Sequence, residues 1–173
     1  MVITRLAQRQ GSPCVLPESE ERRKVDLAAQ HQEYLNQVGC FGRNNIDRFF
    51  ALRRLAQTNV VAAGELGGVY FYGGQYYAGD EGRGNHGIYR VEPDAGKAAR
   101  YFKQAADCDP PVISACWFLG YMIWNQMFDD VSEEDAESLA EKYFQIAYKG
   151  EYMPAANSLG LIELARGDRI LAR

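Results

Sequence analysis

The hydrophobic pattern of this chain returns on itself. Ala62 stands four residues before Leu66-Gly67, Ala115 before Leu119-Gly120, and Ala155 before Leu159-Gly160. Between them a second pattern recurs. Ala98 leads to Tyr101-Phe102 and Ala105-Ala106, and Leu139-Ala140 leads to Tyr143-Phe144 and Ala147. The order predicts a unit of about forty residues built from two helices, with an insertion in the first full unit.

The three glycines carry most of the information. Glycine inside a helix costs about 1 kcal/mol relative to alanine. Its return at one register, Gly67, Gly120 and Gly160, predicts close approach by a neighbouring helix, with the paired alanines as the matching small surface.

Helix punctuation agrees with the pattern. Ser19 before Glu20-Glu21, Asn44 with Asp47, Pro93-Asp94 before Ala98, and Ser132 with Asp135 read as helix starts. Pro110-Pro111 separates two helices, and Gly150 sits where a C-cap is expected. Seven helices are expected in antiparallel pairs, near 19–38, 45–57, 60–73, 94–107, 111–127, 133–149 and 152–166. Residues 1–18 read as an extended or mobile lead-in, and 19–173 as one helical domain with a loop insertion at about 73–93.

Composition narrows the class. Hydrophobic residues make up 47% and charged residues 24% of 173, as in an ordinary globular protein. The net charge of −4 argues against direct nucleic-acid binding. No apolar run approaches the roughly 18 residues of a membrane span, and the first residues lack the apolar core of a secretory signal. Cys14, Cys40, Cys108 and Cys116 form no CxxC pair, and His31 and His86 stand apart from them. No metal or cofactor is therefore expected. Reduced cysteines in a cytoplasmic protein are the simplest reading, with a Cys108–Cys116 disulfide as the alternative.

The run Ala62, Leu66-Gly67, Tyr70, Gly73, then Val91, Asp94, Lys97-Ala98, Tyr101-Phe102, Ala105-Ala106 resembles the Sel-one-like repeat, a branch of the tetratricopeptide-like helical superfamily. A second unit matches through Ala115, Leu119-Gly120, Ala140, Tyr143-Phe144, Ala147 and Gly150, and a half-unit through Ala155, Leu159-Gly160 and Gly167. The chain departs from the family in the long insert after Gly73 and in Cys-Asp-Pro-Pro at 108–111, where a glycine turn is usual. The resemblance implies an all-α fold, a right-handed α-α superhelix of about three helix pairs plus a terminal helix. It also implies a module that binds proteins or peptides and does no chemistry, with first helices lining the concave side.

Two groups of residues are candidates for binding. Trp117, Tyr121 and Trp124 share one helix stripe, and their register in the preceding unit holds Gly64, Gly68 and Phe71. The stripe reads either as an aromatic anchor or as inter-helix core. The insert holds Tyr76, Tyr77 and Tyr89 and reads either as a hairpin, with Tyr76-Tyr77 facing Ile88–Val91, or as a mobile loop. Its Gly82–Gly87 run spells GxGxxG, but no helix opens after it, so a phosphate cradle is not expected.

The acids Asp129, Asp130, Glu133, Glu134, Asp135, Glu137 and Glu141 suit a helix entry, or a patch steering a basic ligand. No local Ser/His/Asp or Cys/His set suggests an enzyme. The expectation is a non-catalytic module holding an extended peptide or partner loop in a concave groove. The alternatives are a regulatory domain whose oligomeric state responds to a bound peptide, and a self-assembling homo-oligomer.

Overall fold

The computed structural model describes residues 23–42, 45–78, 87–127 and 131–171. Among these the chain is mostly helical. Its elements are β1 (Arg23–Lys24), α1 (Leu27–Gln37), α2 (Ile46–Leu55), α3 (Val60–Tyr72), β2 (Gly74–Tyr77), β3 (Ile88–Val91), α4 (Ala95–Ala106), β4 (Cys108–Asp109), α5 (Ile113–Trp124), α6 (Glu133–Lys149) and α7 (Met153–Leu171). From α3 onward each helix packs on the next in sequence, while α1 and α2 pack on α3. One continuous core runs through the array, with Phe49, Phe102, Phe144, Leu66 and Met122 fully buried.

Side-chain caps explain most helix starts. Asp26, Asn59, Asp94 and Ser132 each accept a hydrogen bond from the backbone N–H three residues on. Two expected starts move. The first helix begins at Leu27, not near 19, because residues 23–24 pair in parallel with 108–109 and the Val25 N–H donates to Asp109 O at 2.8 Å. The second is capped by Asn45, whose side chain accepts from the Asp47 N–H at 2.7 Å. Ser19 and Asn44 lie outside the described residues, as does the lead-in 1–18.

Two of the three repeated glycines sit in close contacts. A Cβ on Gly67 would stand 2.8 Å from the Phe102 ring, and one on Gly120 would stand 2.9 Å from the Phe144 ring. The nearest neighbour is thus the phenylalanine of each Tyr-Phe pair, joined at Gly120 by Ala140 O at 3.1 Å. Gly160 differs: a Cβ there would meet nothing within 4 Å. Among the described residues no helix follows α7 to cover it, so the close approach expected at Gly160 is absent.

Gly150 also serves space. A Cβ there would fall 2.5 Å from Ile113 Cδ1. The left-handed backbone of this helix end falls instead on Glu151, with φ 62°. The Tyr152 and Glu151 N–H groups donate to Ala147 O and Tyr148 O, both at 3.0 Å, which completes a Schellman turn.

The insert forms a hairpin. β2 and β3 pair antiparallel, with Tyr76 opposite Tyr89 and Tyr77 opposite Ile88. This is the arrangement expected from the facing residues; the tip, 79–86, lies outside the described residues and takes most of the GxGxxG run with it.

Candidate functional site

A cleft of about 770 Å³ opens between α1, α2, α3, β2, α4 and α5. Its floor is the face of α3 that carries Val61, Gly64, Gly68 and Tyr72. Leu52 and Arg48 of α2 form one wall, Phe118 and Ser114 of α5 another, and Gly73 to Tyr76 the rim. Gly64 and Gly68 lie one helical turn apart, so they share the face. At Gly64 a Cβ would make ordinary contacts with Ala105 and Val112 at 3.6 Å; at Gly68 it would meet open space.

Arg48 brings a fixed cation to the cleft wall. Its Nη2 donates to the Tyr34 hydroxyl at 2.8 Å and its Nη1 to Val38 O at 3.4 Å, while Glu65 Oε2 lies 4.0 Å away. Burial pushes the Tyr34 phenol up, Glu65 adds to the rise, and Arg48 opposes it. These contacts hold Arg48 in place with only about a fifth of its side chain exposed.

The tyrosines of the insert face the leading helices. Tyr76 is 8% exposed and its ring centroid lies 5.1 Å from Phe49. Tyr89 lies 5.4 Å from Phe49 and 5.7 Å from Phe50. Tyr77 is half-buried, and its hydroxyl donates to Gln75 Oε1 at 3.3 Å. Burial also pushes the Tyr76 phenol up. Tyr76 and Tyr89 therefore clamp the hairpin onto α2, and Tyr76 retains almost no surface for a ligand.

The aromatic stripe of α5 divides between core and surface. Trp117 Nε1 donates to Ser158 Oγ at 3.0 Å, and its ring lies 5.5 Å from Tyr121 and 5.8 Å from Tyr152. Trp117 and Trp124 are half-buried, whereas Tyr121 is 37% exposed. With Leu161 and Asn157 of α7 they line a second cleft of about 300 Å³. Phe71 lies 5.5 Å from Phe118 and 6.1 Å from Tyr121, and Phe118 stacks on Phe102 at 4.8 Å. A chain of rings thus joins the two clefts across α5.

The chain finds no match among protein families, curated proteins or solved structures.

Other candidates find ordinary places. Glu137, Glu141 and Glu163 all bind the Arg166 guanidinium, at 2.7, 2.5 and 2.9 Å, and Glu141 and then Glu137 hold its pKa above the usual arginine value. Two members of the acidic run are therefore taken up by α7. Asp129 and Asp130 lie outside the described residues. Cys40, Cys108 and Cys116 are free thiols, so no Cys108–Cys116 disulfide forms. The Cys108 thiol donates to Ala105 O and Pro110 O, at 3.1 and 3.0 Å, and burial pushes its pKa up. Among the described residues no group of three or more His, Cys, Asp or Glu gathers, and no helix is long and apolar enough to cross a membrane.

Sequence reasoning missed the larger cleft because it searched for aromatic side chains. The available signal was the lack of side chains, the Gly64/Gly68 pair in the register of Trp117 and Tyr121.

Proposed function

We propose that this protein is a non-catalytic module that binds an extended peptide or a partner's loop, and that the ligand lies in the cleft over Gly68. Gly68 is the observation that carries the reading. Packing does not require a glycine there, since a Cβ would meet nothing within 4 Å. Yet the residue costs the helix about 1 kcal/mol relative to alanine. A chain passing close over α3 accounts for the missing side chain. The cleft volume, about 770 Å³, lies within the range of sites that enclose a ligand.

The finer fold belongs to the same proposal: a right-handed α-α superhelix of Sel-one-like units. The matching Gly67–Phe102 and Gly120–Phe144 contacts support it, as does the sequential packing from α3 to α7. In this reading Phe71, Tyr121 and the tryptophans of α5 extend the binding face toward α7. A cytoplasmic setting, where thiols stay reduced, is part of the proposal.

The test is Gly68→Leu. A displayed library of random heptapeptides selects ligands for the wild-type chain, and the best is synthesised and titrated against both proteins. The variant is expected to bind at least tenfold more weakly while unfolding at the same or higher urea concentration. Equal affinity, or a library that yields no ligand, overturns the reading.

A further inference from the structure

We infer that the peptide enters this cleft as a third strand on the open edge of β2, with Gln75 as its main-chain partner. The inference rests on the peptide-groove reading above and specifies how the groove would recognise its ligand.

The hairpin ladder fixes which groups point where. The Ala78 N–H donates to Gly87 O at 3.2 Å. Hydrogen-bonded and non-hydrogen-bonded pairs alternate along an antiparallel ladder. Tyr76 and Gly74 therefore bond toward β3, and the N–H and C=O of Tyr77 and Gln75 point to the opposite edge. Tyr77 confirms the parity, because it forms a parallel bridge with Asn45, just before α2. That edge of β2 already receives a piece of backbone.

Two residues back, Gln75 offers the same pair of groups. Among the described residues its outward N–H and C=O have no main-chain partner. Gln75 lines the cleft, and β3 contributes nothing to it. The ligand strand would thus continue the edge begun by Asn45, with Gly68 as the floor beneath it.

This pairing selects the ligand's chemistry. A donor and acceptor spaced for a strand recognise extended backbone; a helical ligand has its own backbone groups satisfied internally. Side chains alternate across a strand, so every second residue would face α3. Leu52, Val69 and Phe118 make that side apolar. The fitting ligand is an extended segment with an apolar side chain directed at the floor and no proline at the paired residue.

The test uses the selected heptapeptide and a series methylated at one backbone nitrogen at a time. These are titrated against wild type, Gln75→Pro, Gln75→Ala and Gly68→Leu. Proline at 75 removes an N–H that the free protein's hairpin does not use, which edge strands tolerate. Strand addition predicts at least tenfold weaker binding for Gln75→Pro and for methylation at the paired residue, with Gln75→Ala within about twofold of wild type. Should Gln75→Pro lose its fold by circular dichroism, the methylation series on wild type decides alone. Full affinity for every methylated peptide, with loss only in Gly68→Leu, overturns strand addition and leaves the groove standing. Indifference to Gly68→Leu overturns both.

Discussion

The ring of Phe102 fills the space that a side chain at Gly67 would need, with its Cδ1 2.8 Å and its Cε1 2.9 Å from the Cβ position. Phe144 stands in the same relation to Gly120. Aromatic rings are stiff, and Phe102 is wedged between Phe118 at 4.8 Å and Phe71 at 6.4 Å, so the ring cannot retreat without repacking.

Gly67→Ala and Gly68→Ala are therefore expected to move stability in opposite directions. Overpacking costs about 1–3 kcal/mol, and a stiff ring at 2.8 Å puts this site in the upper part of that range; the gain in helix propensity returns about 1 kcal/mol, so Gly67→Ala should lose about 1–2 kcal/mol. Gly68→Ala keeps only the gain, about 1 kcal/mol. Urea denaturation of both variants checks this, and a Gly67→Ala protein as stable as wild type removes the close-approach argument.

Asn59 ties the first helix to the third. It is fully buried, donates to Gln30 O and Glu33 Oε2 at 2.9 Å, and accepts from the Ala62 N–H at 3.0 Å. Asn59→Ala loses a cap and the two hydrogen bonds that its buried amide donates to α1, which predicts a loss of about 2–4 kcal/mol. A midpoint shift equivalent to under 1 kcal/mol would mean that α1 is not held through this residue.

At the end of α6 the glycine and the strained residue are neighbours. Gly150→Ala drives a methyl into Ile113 and should destabilise by about 1–3 kcal/mol. Glu151→Gly relieves a left-handed glutamate, with a net gain of about 0.5 kcal/mol after the entropy added to the unfolded chain. Thermal melts of the two variants should shift to opposite sides of wild type.

Asp94 gives a pH dependence with a definite sign. The hydrogen bond from the Lys97 side chain, followed by the Lys97 backbone N–H, holds its carboxyl below the ordinary carboxylate range. The fold favours the charged form, so this contribution is complete above the unfolded pKa and disappears as pH falls through the lowered folded value. Asp94→Asn keeps the cap and loses the charge. Its stability deficit, within the ~0–1 kcal/mol of exposed pairs, should be present at neutral pH and vanish in acid. A deficit that persists below the folded pKa would assign the effect to cap geometry instead.

Much of the helical pattern was legible because its causes are local. Asp94 and Ser132 cap helices at the expected places, and the Tyr76–Tyr89 pairing follows from facing runs around a glycine-rich tip. The local pattern makes the first helix too long because the pairing of Arg23–Lys24 with Cys108–Asp109 joins segments distant in the chain. The docking of Tyr76 on Phe49 was hidden for the same reason. The aromatic stripe was visible, but its burial behind Ser158 and Tyr152 depended on α7 arriving beside it.

The sequence by itself determined where the helices run and that small residues return at one register, since caps, periodicity and propensity act over a few residues. Only the tertiary structure decided what each small residue does. Gly67 and Gly68 are alike in type and adjacent in sequence, but about 100° of helical rotation separates them. One meets the ring of Phe102 and the other opens into the cleft, because α4 covers one face of α3 and leaves the other uncovered.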